Sequence, residues 1–351
     1  MTEKDLDYVI SVLKGEKTSV IPDWYSVMGF LIGNRIGGLF YNRAKSVGIF
    51  LPKKIESLLA DIFNRQKRRV YLMREYLKII SERLKCTGVE YSFLKGSVLC
   101  NISFNNEKLY VDGERTSNDI DVLVEQSGLS KISRSLSDIG FIQGKYDAEN
   151  NKIEEFSRLE IINRRLNRGE IAPFIKLTGN AEVPFIEVDV NFSLGNTPTE
   201  NKELLSLILR SARDYGGKVD LRVADKELFF LHLIMHQYKE SCVYFMVERS
   251  KDLDFYKLAD IYYYVKADIL DWDVLKRIIK DYQLEQQKET VLWQVGEAFA
   301  DENILNLSEG FSHNQPRVID YGRKKEYEWS VGVRKRICEF NNAKYLKEIK
   351  Q

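Results

Sequence analysis

Asp119-Ile120-Asp121-Val122-Leu123-Val124 is the stretch on which the fold turns. Its two carboxylates alternate with Ile120 and Val122, and its last residues are apolar on both faces. That pattern predicts a strand half-buried at its start and sunk into the core at its end. Residues two apart on a strand point the same way and lie about 6.6 Å apart along the chain. Asp119 and Asp121 therefore aim at one region, where ionised carboxylates repel each other unless a cation lies between them. A hard divalent cation meets that need, because magnesium prefers oxygen ligands and keeps positions open for phosphates.

Working outward, residues 89–94 (VEYSFL) read as a strand, and Lys95-Gly96-Ser97 as a turn into a short helix. Glycine lets a backbone come close to phosphate, and a nearby ammonium, hydroxyl and N–H groups can all contact its oxygens. Residues 127–139 have helical spacing, closed by Gly140 as a C-terminal cap. Residues 185–192 alternate cleanly, with Glu187, Asp189 and Asn191 on one face and Ile186, Val188 and Val190 on the other. Asp189 is the favoured third carboxylate, as metal ligand and general base, with Glu187 as the substitute. Sites that transfer nucleotidyl groups use two divalent ions about 3.5–4 Å apart. One activates the attacking oxygen, and the other holds the triphosphate and its leaving group.

The flanks read as helical. Residues 6–13 and 24–47 carry amphipathic patterns, and Pro52 opens a third over residues 53–84. The helical period returns from Asn201, through residues 224–238 and 257–265, and Asp271 is a candidate N-cap for residues 272–282. After Pro316 the core pattern is sparsest and the chain is locally basic. The fold expected is α+β: a small mixed β-sheet core over 86–195, an N-terminal helical region over 1–85, and a C-terminal helical region over 196–351 that packs behind the core.

Composition excludes more than it adds. Cys86, Cys100, Cys242 and Cys338 are scattered without a C-x-x-C pair, against both a zinc site and a disulfide framework. A formal net charge of +1 does not announce a nucleic-acid binder, so local basic clusters must carry any such claim. No stretch approaches the roughly 20 apolar residues that span a bilayer. The first residues also lack a signal-peptide core, so no membrane partner is expected and a reducing cytoplasm is the expected location.

Phe93-Leu94-Lys95-Gly96-Ser97, followed by Arg115-Thr116-Ser117-Asn118-Asp119-Ile120-Asp121-Val122-Leu123-Val124, resembles the DNA polymerase β-like nucleotidyltransferase superfamily. More narrowly, the chain is similar to a bacterial group of uncharacterised nucleotidyltransferases with a Leu-Lys-Gly motif and an Arg-x-x-x-Asp-Ile-Asp-x-Leu-Val motif. The similarity takes in Asp23-Trp24, residues 231–236 (LHLIMH), 258–261 (LADI) and Asp271-Trp272-Asp273. The resemblance implies that Asp119, Asp121 and Asp189 are metal ligands for two Mg2+ ions, with Mn2+ able to substitute. It implies that Gly96 and Ser97 form the nucleotide-binding turn, with Lys95 and Arg115 as cations beside the triphosphate. Asn191 stands where the narrower group often has histidine, and the loop 98–118 is longer than in minimal superfamily members. The partner implied is a nucleoside triphosphate; the acceptor is a small molecule, peptide, protein or RNA that the sequence does not specify.

Two other functions compete: a non-catalytic nucleotide-binding regulatory module on the same fold, and a toxin-like transferase that modifies RNA. The second would use the basic stretches Arg65–Arg69 and Arg323–Arg336, although such runs are commonly solvated faces. Arg164, Arg165 and Arg168 fit either phosphate contact or a solvated turn. Asp260 fits the acceptor side of a cleft, a cap or a salt bridge. His232 and His236 are four apart, as zinc ligands on a helix would be, but without the glutamate of His-Glu-x-x-His they read as satisfied helix histidines.

Overall fold

The computed structural model describes residues 1–167, 169–195, 201–308 and 315–349. Its packing forms two compact units, Arg65–Phe229 and Met1–Asn64 with Phe230–Gln351.

The unit Arg65–Phe229 is built on strands β1 (Tyr91–Phe93), β2 (Asp119–Val124), β3 (Ile142–Asp147), β4 (Lys152–Glu155), β5 (Phe174–Leu177) and β6 (Phe185–Asn191). They form one mixed sheet in the order β1-β2-β6-β5-β3-β4. β1 runs antiparallel to β2, while β2 and β6 are parallel neighbours. Parallel neighbours require a crossover. It is supplied here by the helix Leu129–Asp138 and by β3, β4 and β5; β3 pairs antiparallel with both β4 and β5, and β5 antiparallel with β6. Alternation decides which face is core: Ile120, Val122, Ile186, Val188 and Val190 are all fully buried. Gly140 follows the helix with φ +84°, the left-handed cap that a side chain would resist.

The long loop after the helix Lys95–Leu99 is tied down by charge. Arg74 donates from Nη2 to Asp112 Oδ1 at 2.8 Å and from Nε to Asn101 Oδ1 at 2.8 Å, and Lys218 also donates to Asp112. Burial opposes ionisation of Asp112, but the hydrogen bonds from Arg74 and Lys218 outweigh it and hold the carboxyl below its usual range. The stability this contributes is fully present above the unfolded carboxyl value of about 3.9 and is lost as pH falls through the lower folded value. Asp112→Asn should cost about 2 kcal/mol at neutral pH in urea unfolding, and the difference from wild type should shrink on acidification. An equal loss at all pH values would show that the charge on Asp112 is not what holds the loop.

The second unit is helical around an aromatic core. Thr2 and Asp5 form a capping box at the helix Glu3–Lys14, and Asp5 also accepts the Asp23 N–H at 2.9 Å. The pattern over residues 24–47 divides into Trp24–Gly33 and Gly37–Ser46, because Arg35 turns to φ +56° between them. Phe255 stands edge-on to Phe30, and Tyr262 stacks on Phe299 at 3.9 Å. Asp271 caps Trp272–Asp281 as expected, accepting N–H bonds from Asp273 and Val274. After Pro316 the chain forms a three-stranded sheet of Val318–Asp320, Lys325–Trp329 and Leu346–Glu348, where only a sparse core had been expected. Among the described residues, no helix is long and apolar enough to cross a membrane.

Candidate active site

Pairing of β2 with β6 places Asp119 opposite Glu187, Asp121 opposite Asp189 and Leu123 opposite Asn191. Paired residues of neighbouring strands share a face, so four acids line one side of the sheet. Asp121 is the deepest, at 2% exposure. Its Oδ1 accepts from Lys95 Nζ at 2.7 Å and from Asn191 Nδ2 at 3.4 Å. Asp119 Oδ1 accepts from Ser117 Oγ at 3.0 Å.

The electrostatics follow from burial and crowding. Burial raises the Asp121 carboxyl above its usual range, Lys95 opposes this, and the charge of Asp119 adds to it. Asp189 is raised by burial first, then by Asp121 and Asp119. Glu187 is pushed up to about 7, by burial and then by Asp119 and Asp121. Lys95 works against burial and is held above its ordinary range by Asp121 and Asp119. One ammonium therefore answers three carboxylates, those of Asp121, Asp119 and Asp189. Oxygen donors with surplus negative charge are the chemistry that a hard divalent cation takes. Among the described residues, no group of three or more His, Cys, Asp or Glu side chains stands close enough to hold a metal ion as the side chains are now placed.

The turn beside these acids is tightly built. Lys95 sits at φ +50°, a left-handed conformation uncommon for a residue with a side chain. A Cβ on Gly96 would lie 2.7 Å from Ser117 Oγ and 2.9 Å from Ser117 Cβ, so glycine is required for this approach. Ser97 is buried and its Oγ donates to the Leu94 carbonyl at 2.7 Å, which closes the turn. Arg115 is also buried, and its Nη1 donates to the Thr116 carbonyl. Gly96→Ala should push Ser117 off Asp119 and lower the site's turnover about tenfold, less than the 10²-fold of a full 1 Å misplacement. Turnover of the folded variant checks this, and wild-type turnover would mean the close approach carries no function.

A family model described as uncharacterised nucleotidyltransferase matches residues 22–300, well over half of the chain. The chain belongs to that family. This nucleotidyltransferase is α+β, as the sequence led us to expect, with the mixed sheet at the heart of one unit. No curated protein and no solved structure gave a match.

The other residues that the sequence of this nucleotidyltransferase singled out have the following surroundings. Arg68 is spent on Glu182, with Nε at 2.6 Å and Nη2 at 2.7 Å from its carboxylate. Arg336, in the second basic stretch, is fully buried against Asp252. Within that stretch Arg334 pairs with Asp7 and Lys335 with Glu339. Arg164 and Arg165 lie on the helix Arg158–Asn167 rather than in a turn, with Arg164 over the Phe156 ring at 4.4 Å. Arg168 lies outside the described residues. His232 and His236 stack with centroids 6.3 Å apart, and His236 Nε2 lies 3.8 Å from Glu240 Oε1. Asp260 is buried on the helix Phe255–Lys266. The sequence reading met Ser117 only inside a motif and Arg69 only at the end of a basic stretch, and gave neither of them a part in the site. Carrying the two-residue period one step back from Asp119 would have reached Ser117, whereas no local signal marks Arg69.

Proposed function

We propose that this chain transfers a nucleoside monophosphate from a nucleoside triphosphate to an acceptor hydroxyl or amine, with release of pyrophosphate, on a polymerase β-like core. The observation that carries the reading is the parallel register of β2 with β6, which sets Asp119, Asp121, Glu187 and Asp189 on one face beside Lys95. Asp119, Asp121 and Asp189 would hold magnesium, with manganese as a substitute and Glu187 as the reserve third carboxylate. Bound there, the cations would polarise the triphosphate and neutralise charge on the departing pyrophosphate.

The chain's own groups do the rest. Asp189, ionised once cations neutralise the charge of its acidic neighbours, takes the acceptor's proton. The acceptor oxygen or nitrogen bonds to the α-phosphorus as the bond from α-phosphorus to the bridging oxygen breaks. That oxygen's electron pair leaves with pyrophosphate. Lys95 and Arg115 bring positive charge to the triphosphate, Gly96 admits its oxygens close to the backbone, and Ser97 keeps the turn closed.

Paired reactions with α-labelled and γ-labelled nucleoside triphosphates, supplied with fractions of a cell extract, test this. The α-label should appear on an acceptor and the γ-label in pyrophosphate. Appearance of the γ-label on the acceptor would make the reaction a phosphoryl transfer and overturn the proposal.

A further inference from the structure

The peptide units just before Asp119 are gripped from outside the sheet. Arg69, on the helix Lys53–Lys85, donates from Nε to the Ser117 carbonyl at 3.0 Å and from Nη2 to the Asn118 carbonyl at 3.1 Å. A planar guanidinium holding two successive carbonyls fixes the direction as well as the position of the strand entry. Ser117 passes that constraint on in two directions. Its Oγ donates to Asp119 Oδ1 at 3.0 Å. Its side chain also lies against Gly96, where an added Cβ would meet Ser117 Oγ at 2.7 Å. The first carboxylate and the phosphate-facing turn thus share one support, forty-eight positions from Arg69 in sequence.

We infer that Arg69 is a positioning residue for the reaction: through Ser117 and Asn118 it sets the Asp119 carboxylate and the Gly96 turn at once. Its neighbour Arg68 has no such part. Arg68 pairs with Glu182 at the surface, with side chains 54% and 46% exposed, an arrangement that contributes little. The inference rests on the nucleotidyl-transfer reading for the chemistry it supports, but not for the grip itself.

The test compares wild type, Arg69→Ala, Arg69→Lys, Arg68→Ala and Asp119→Ala. Two measurements are made: single-turnover transfer from saturating magnesium complexes of α-labelled nucleoside triphosphates, and equilibrium binding of the same nucleotides. Loss of outer supports of this kind typically costs about 10–100-fold. Arg69→Ala should slow transfer by that factor, and Arg68→Ala should match wild type. Low-millimolar guanidinium should restore part of the rate to Arg69→Ala and none to Asp119→Ala, a response that general loosening of the fold would not give. Should Arg69→Ala fail to fold, Arg69→Lys keeps the charge but cannot span both carbonyls, and should still be slowed. Wild-type rate and binding in the folded Arg69 variants would overturn the inference alone. Binding without transfer in wild type would overturn nucleotidyl transfer. Arg69 would then stand if Arg69→Ala binds about tenfold more weakly and guanidinium repairs it, and fall if its binding is normal. Absence of both binding and transfer in wild type would overturn both.

Discussion

Asp121→Asn is expected to lower nucleotidyl transfer on the order of 10³-fold while leaving the fold intact. Asp121 is the acid where the site's charges meet: it carries the Lys95 ammonium at 2.7 Å, pairs across the sheet with Asp189, and is almost wholly buried. Asparagine keeps the shape and one carbonyl oxygen but removes the charge that would hold a cation. Stability should change little, because the lost attraction to Lys95 is offset by relief of repulsion from Asp119 and Asp189. Lys95 also keeps both of those acids as neighbours. The comparison is single-turnover rate against the thermal unfolding midpoint. A folded variant retaining more than about a tenth of wild-type transfer would remove Asp121 from the chemistry.

The largest stability effect is expected in the other unit, at Arg336. Its guanidinium and the Asp252 carboxylate are both at 0% exposure. Arg336 lies over the Trp329 ring at 3.4 Å and donates to Gln315 Oε1 at 2.5 Å. Gln237 donates to the Asp252 carbonyl at 2.8 Å, and Asn342 reaches the Asp252 carboxylate at 3.4 Å. Removing one partner strands a buried charge, so Arg336→Ala should cost about 3–5 kcal/mol. Pairing Arg336→Met with Asp252→Leu should recover only part of this, because Gln315 and Asn342 lose their partners as well. Urea unfolding followed by far-UV circular dichroism reads the loss. A cost below about 1 kcal/mol for Arg336→Ala would place the pair among surface bridges in energetic terms.

These residues also show what a sequence does and does not disclose. Asp119, Asp121, Glu187 and Asp189 were legible because a strand's two-residue period sorts acid from apolar side chains locally, throughout β6 and over the first four residues of β2. That they share a face follows from strand pairing, which the period alone does not give. β3 and β4 were missed because they are polar and half-exposed on both faces, so no buried side imposes alternation. Arg336 looked like part of a solvated basic run, and only Asp252, remote in sequence, makes its burial tolerable. Arg69 was hidden for the same reason: its meaning lies in two carbonyls that the fold brings to it.

The most direct measurement incubates the protein and a cell extract with α-labelled nucleoside triphosphates, using wild type and Asp119→Ala, with magnesium and with excess EDTA. A nucleotidyl-transfer centre at the β2–β6 face predicts label on an acceptor only with wild type and only with magnesium. Equal labelling by Asp119→Ala, or labelling that persists in EDTA, would contradict it.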